Sequence, residues 1–130
     1  MHKIFEKIPL ASVDYVKSLI YSENVVIKLK KTRKTKHGDF SVNKNGLKLI
    51  TINESLNKYR FLITLIHEIS HYFTFKNYGI YIKPHGVEWK NTFRNLLLPV
   101  INSDVFPEDV LKTLAAYTKN PKASTDTDLN

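Results

Sequence analysis

His67-Glu68-Ile69-Ser70-His71 places two imidazoles and one carboxylate within a single short stretch of chain. On an α-helix, residues four apart lie almost above one another, so His67 and His71 aim at one point. Two nitrogens placed in this way supply half of a tetrahedral zinc shell. Glu68 is next to them in angle but is not directed at the same point. It is placed to take a proton from a water activated there, the position of a general base rather than of a ligand. The chemistry offered is hydrolysis assisted by a metal and one carboxylate.

The spacing has meaning only on a helix. The run 59–78 contains no Gly or Pro, and Leu62, Ile66, Ile69 and Phe73 fall on one helical stripe. The bland alternative is a surface or core His pair on an ordinary amphipathic helix. H-E-x-x-H is rare by chance in a chain of this composition, which disfavours it. A catalytic zinc usually takes three protein ligands. His2 is near the terminus and His37 lies upstream in a basic stretch. His85 follows in Pro84-His85-Gly86-Val87-Glu88-Trp89. Gly79 is expected to stop the helix, and residues 80–84 then turn the chain back. His85 is therefore the preferred third ligand of one Zn2+ per chain, with Glu88 as its rival one helical turn further on. An oxyanion formed in the reaction would need a donor besides the metal. Tyr72, Tyr81 and Lys83 are near in sequence, and nothing in the sequence chooses among them.

The elements that must hold these residues read as helix, strands, helices. Residues 12–21 form a first helix with Ser12 as N-cap and Val13, Val16, Leu19 and Ile20 as its apolar face. Strands are predicted over 25–31, 37–42 and 47–52, with Asn45-Gly46 as the hairpin turn between the last two. After the motif helix, another begins near Val87 and carries Trp89, Phe93 and Leu96 inward until Pro99 ends or kinks it. A last helix is predicted over 107–117, with the acids Glu108 and Asp109 in its first turn. The expected fold class is α+β, a small antiparallel sheet packed against helices. The expected organisation is one domain over 1–118 and a loose polar tail over 119–130.

With 130 residues, of which 42% are hydrophobic, the chain can bury a core and is not a disordered segment. The absence of cysteine excludes a disulfide scaffold and a thiolate-ligated zinc site. No apolar run approaches the roughly 20 residues of a membrane span, and the charged N-terminus lacks a signal-peptide core. No membrane association and a cytoplasmic location are the resulting expectations. The net charge is +8. Lys28, Lys30, Lys31, Arg33, Lys34 and Lys36 crowd into one stretch. Such a stretch attracts phosphate backbones without sequence preference. Equally, lysines protect an exposed strand edge from aggregation, and charge alone does not decide between the two. Tyr21, Phe40, Tyr78 and Tyr81 are candidates to stack on bases, although aromatics are more often core or rim residues.

Two zinc peptidase patterns can be tested against the chain. H-E-x-x-H-x-x-G-x-x-H fails, because Thr74 and Asn77 stand where Gly and His are needed. A downstream Glu ligand would use Glu88 and leave His85 unexplained. His67-Glu68-x-x-His71 followed by Pro84-His85-Gly86-x-Glu88-Trp89-Lys90 resembles the SprT-like zinc metalloproteases, which include the Spartan-type proteases of DNA-bound proteins. Weaker echoes are 32–38 and Ile50-Thr51-Ile52-Asn53. The resemblance implies a zincin-like protease domain with the motif on a central helix. In it His67, His71 and His85 are zinc ligands, Glu68 is the catalytic base, and the substrate is a protein associated with or crosslinked to DNA, as in DNA repair. Many members carry a cysteine-rich zinc ribbon, and this sequence has no cysteine to form one. The competing expectation is a basic DNA-binding module whose zinc is structural or catalytically silent.

Overall fold

A computed structural model describes residues 2–119. Two 3-10 turns, His2–Glu6 and Leu10–Ser12, lead into α1 (Val13–Ile20). Three strands follow, β1 (Val26–Lys30), β2 (Gly38–Val42) and β3 (Lys48–Asn53). Then come α2 (Lys58–Tyr78), α3 (Val87–Leu97), a 3-10 turn Leu98–Val100, and α4 (Glu108–Lys119). The fold is α+β, with a small sheet packed on helices. Lys119 ends α4, and the rest of the tail expected over 119–130 lies outside the described residues.

The sheet has the order β1-β3-β2 and is mixed, not antiparallel as the sequence suggests. β2 and β3 are antiparallel, joined by the Asn45-Gly46 turn, in which Gly46 has φ 85° and its N–H reaches the Asn43 carbonyl at 2.9 Å. β1 instead pairs parallel to β3, with Ile27 opposite Ile50. Alternation in a sequence fixes which residues share a face but not the direction of a strand's neighbour. The segment after β1 does not turn tightly back; it crosses the sheet before β2 begins.

Alternation sorts the two faces. Ile27, Ile50 and Phe40 share one face, as do Leu29, Ile52 and Gly38 in the next register. That face meets α2, where the Phe40 ring packs edge-on against Tyr72 and tilted against Phe75. Lys28, Lys30, Asp39, Thr51 and Asn53 alternate onto the other face.

The sequence stripe on α2 is real at Leu62, Ile66 and Ile69, yet every side chain from Phe61 to Ser70 is buried. A helix buried on all sides needs cover on both flanks. The sheet covers one and α3 the other. Asn57 caps α2, its side chain accepting from the Tyr59 and Arg60 N–H groups. Gly79 ends the helix with φ 84° and an N–H bond to the Phe75 carbonyl. On α3, Trp89, Phe93 and Leu97 are buried at helical spacing; Leu96, expected inward, is only partly covered. Among the described residues, no helix is long and apolar enough to cross a membrane.

Candidate metal centre

α2 delivers His67 and His71 from adjacent turns, and a turn ahead of α3 delivers His85. Lys83-Pro84-His85-Gly86 closes through a bond from the Gly86 N–H to the Lys83 carbonyl at 3.0 Å. Proline in its second position and a positive φ of 59° at His85 are the marks of a type II turn. Glycine or asparagine ordinarily fills the position His85 holds. The left-handed backbone costs about 1 kcal/mol or more for a residue with a Cβ, and such strain concentrates at functional sites. Gly86 follows because a Cβ there would lie 3.0 Å from the Lys83 carbonyl oxygen.

The turn carries the His85 ring into the helix face. His85 Nε2 lies 2.9 Å from His71 Nε2 and 3.3 Å from His67 Nε2. Tetrahedral zinc with Zn–N bonds near 2 Å separates its nitrogens by about 3.3 Å, so the spacing fits such an ion. The donor chemistry fits as well. Three inward Nε2 atoms cannot all be satisfied by hydrogen bonds to one another, because neutral imidazole has only one N–H. A single cation satisfies the three lone pairs together. Burial, joined by the neighbouring rings, pushes His67 down to about 3, and burial then His85 push His71 to about 4. His85 is also lowered by burial. The rings are therefore neutral at pH 7, the form that binds metal. His67, His71 and His85 form a group able to hold a metal ion. Glu88 and His37 are not part of it.

Trp89 is the wall of this site. It is fully buried, stacks on His71 at an interplanar angle of 22°, and meets His85 edge-on. Its indole N–H points to the His67 carbonyl at 3.4 Å, and Phe93 stacks behind it at 18°. The sequence places Trp89 inward; it does not show that the indole orders all three imidazoles.

Glu68 lies against the start of β2. It is 7% exposed. A Cβ on Gly38 would lie 2.8 Å from Thr64 Cγ2 and 3.1 Å from both Glu68 Cγ and Oε2. Gly38 is thus there for space, and its lack of a side chain lets the strand lie against the carboxylate. Burial, with Asp39 adding to it, pushes the Glu68 carboxyl up to about 8, while Arg33 and Lys36 oppose the shift. A carboxyl raised towards neutrality both accepts and returns a proton readily.

The basic stretch divides. The Arg33 guanidinium folds onto the sheet, donating from Nε to Asn53 Oδ1 at 2.8 Å and from Nη1 to Thr51 Oγ1 at 2.9 Å. Asn53 in turn donates to the Arg33 and Lys36 carbonyls. Arg33 is a clamp on its own loop, unlike the exposed Lys28, Lys30, Lys31 and Lys34. Lys36 pairs with Asp39 at 3.6 Å. Of the candidate oxyanion donors, Tyr72 is committed elsewhere, its hydroxyl donating to Glu23 Oε1 at 2.8 Å. Tyr81 and Lys83 are exposed.

A domain with a helical H-E-x-x-H, a third histidine from the next helix's leading turn and an edge strand over the glutamate has the parts of a metalloprotease-type site. The chain belongs to the SprT-like family, whose sequence model matches residues 5–105. That family suggests a metalloprotease-type domain. No curated protein and no solved structure matches the chain.

Proposed function

We propose that this chain is a zinc-dependent endopeptidase whose metal is held by His67, His71 and His85. The observation that carries the reading is the convergence of three neutral imidazole nitrogens within 4.8 Å of one another, on the helix that also carries Glu68 and the turn that faces it. Held by His67, His71 and His85, zinc would supply Lewis acidity towards a carbonyl and a water, and its charge would oppose the upward shift of Glu68. Glu68 accepts the proton of the attacking water and returns it to the leaving amine. Trp89 keeps the imidazoles in place and excludes water from behind them. Gly38 keeps β2 close, so that Glu68 is shielded from bulk solvent.

The proposed substrate class rests on the exposed cations together with the resemblance to the SprT-like proteases. Exposed Lys28 and Lys30 on the outer sheet face, with Lys31 and Lys34 beyond, form a surface suited to a phosphate backbone. Proteins associated with DNA are the proposed substrates, brought to the enzyme by a shared strand that raises effective concentration. The test is a time course on a DNA-binding protein with and without DNA, at low and high salt, using zinc-loaded chain. Cleavage should be faster on DNA, and the advantage should shrink with salt. Glu68→Gln should keep its zinc and lose about 100-fold or more in rate. Tight DNA binding with no cleavage of any protein would instead support a binding module.

A further inference from the structure

Residues 31–37 leave the end of β1, cross the end of β3 and return as β2. This irregular crossover has no strand ladder of its own, so its carbonyls must find donors elsewhere. Asn53, the last residue of β3, provides them. It pairs with Lys30 at the end of β1, and its neighbour Ile52 pairs with Gly38 at the start of β2. The Asn53 N–H donates to the His37 carbonyl at 2.8 Å. Its Nδ2 donates to the Lys36 carbonyl at 2.8 Å and to the Arg33 carbonyl at 3.3 Å. Its Oδ1 accepts from Arg33 Nε. Asn53 is fully buried, where an amide is costly unless paired. Both ends of its side chain are used on the crossover.

Arg33 forms the other half of this clamp. Its guanidinium spans two acceptors on β3, Asn53 Oδ1 and Thr51 Oγ1. A rigid fork held at two points fixes an orientation, which a single ammonium bond does not. What the clamp positions is the cover of the carboxylate. Gly38 follows His37 directly, and a Cβ on Gly38 would stand 3.1 Å from Glu68 Cγ and Oε2. The strand lies as close to Glu68 as its backbone allows. Slack in the crossover would part the two, and a loosely held base meets its proton in the right geometry less often.

We propose that Arg33 and Asn53 are positioning residues for Glu68: together they pin the 31–37 crossover so that β2 begins flush against the carboxylate. The proposal rests on the peptidase reading for the role of Glu68 as base, but the covering of Glu68 is measurable without turnover.

The test labels carboxyl groups of the zinc-loaded full chain with a carbodiimide and glycine ethyl ester, read residue by residue by mass spectrometry. Two variants are compared with the parent. Asn53→Ala removes the donors to the crossover. Arg33→Lys keeps the positive charge but cannot span both acceptors. In each, Glu68 should become about five-fold or more reactive than in the parent, as expected for local opening. Glu23 is the internal control, because Tyr72 and Lys76 hold it in a different part of the molecule. Its labelling should not change, and zinc content should stay at the parent level. On a peptide substrate, kcat should fall about ten-fold or more with KM little changed. Parent-like protection of Glu68 in either variant would overturn the proposal. So would Glu68 and Glu23 becoming reactive together, since that marks a general loss of structure. Selective exposure of Glu68 in a chain whose parent cleaves no peptide sinks the peptidase and keeps the clamp. Cleavage by the parent, with both variants equally active and equally protected, does the reverse.

Discussion

The sheet face turned to α2 and the face turned away are made of alternate residues of the same strands, yet their chemistry is opposite. Ile27, Ile50 and Ile52 sit on the inner face with Phe40, and behind them α2 carries His67 and Glu68 buried and His71 partly so. There burial governs ionisation: it drives His67 down to about 3 and Glu68 up to about 8. The outer face carries Lys28 and Lys30 in solvent, and Arg33 is held by Thr51 and Asn53. A small domain thus keeps a neutral, metal-ready cluster and a cationic surface on opposite sides of a single sheet. The contrast implies that inner-face changes act on stability and metal, and outer-face changes on association.

The strongest way to break that contrast is at Trp89. Trp89→Ala removes the wall shared by three imidazoles and should cost about 3–5 kcal/mol in urea unfolding. Lys28→Ala on the outer face should stay within about 0.5 kcal/mol. A loss at Trp89 no greater than that at Lys28 would show that the inner layer does not depend on the indole.

His85→Asn sharpens the comparison within the inner layer. Asparagine tolerates the left-handed turn, so the fold should persist while the third ligand is removed. With free zinc about 1,000-fold above its Kd, the parent should gain about 4 kcal/mol of stability. The variant should lose most of this gain, read as the difference in Tm with and without zinc. A full gain in the variant would remove His85 from the ligand set.

The outer face should give the smallest effect on folding. Changing Lys28, Lys30, Lys31 and Lys34 to Glu should leave zinc content intact. The same change should weaken DNA binding and flatten its salt dependence, by about 0.9 in log–log slope for each phosphate that the variant no longer neutralises. Arg33→Ala tests the division of the stretch. It takes the guanidinium donors from Asn53 Oδ1 and Thr51 Oγ1 on a covered surface and should cost about 1–3 kcal/mol. Unchanged DNA affinity in the four-lysine variant at low salt would return those lysines to edge protection.

The site was more legible than the sheet. His67, Glu68 and His71 depend on local helical geometry, and α2 runs almost as the Gly- and Pro-free stretch predicts, to Gly79. His85 could be chosen because few other histidines were available, and Pro84 and Gly86 beside it signalled a turn. The left-handed backbone at His85 was not legible, since Lys-Pro-His-Gly does not state which corner carries positive φ. The parallel pairing of β1 with β3 is a long-range choice that alternation does not record. Arg33 looked like one more cation among lysines; only the fold shows that Asn53 and Thr51 await it. Gly38 gave no local sign either, because its role is to leave space for Thr64 and Glu68, which lie far along the chain.

X-ray absorption on the zinc-loaded full chain tests the central claim most directly. One zinc per chain, bound by three imidazole nitrogens at about 2.0–2.1 Å with a fourth O ligand, is the predicted result. In His85→Asn the three-imidazole signature should fall to two. A parent site with only two imidazoles and a carboxylate, unchanged by His85→Asn, would contradict the account.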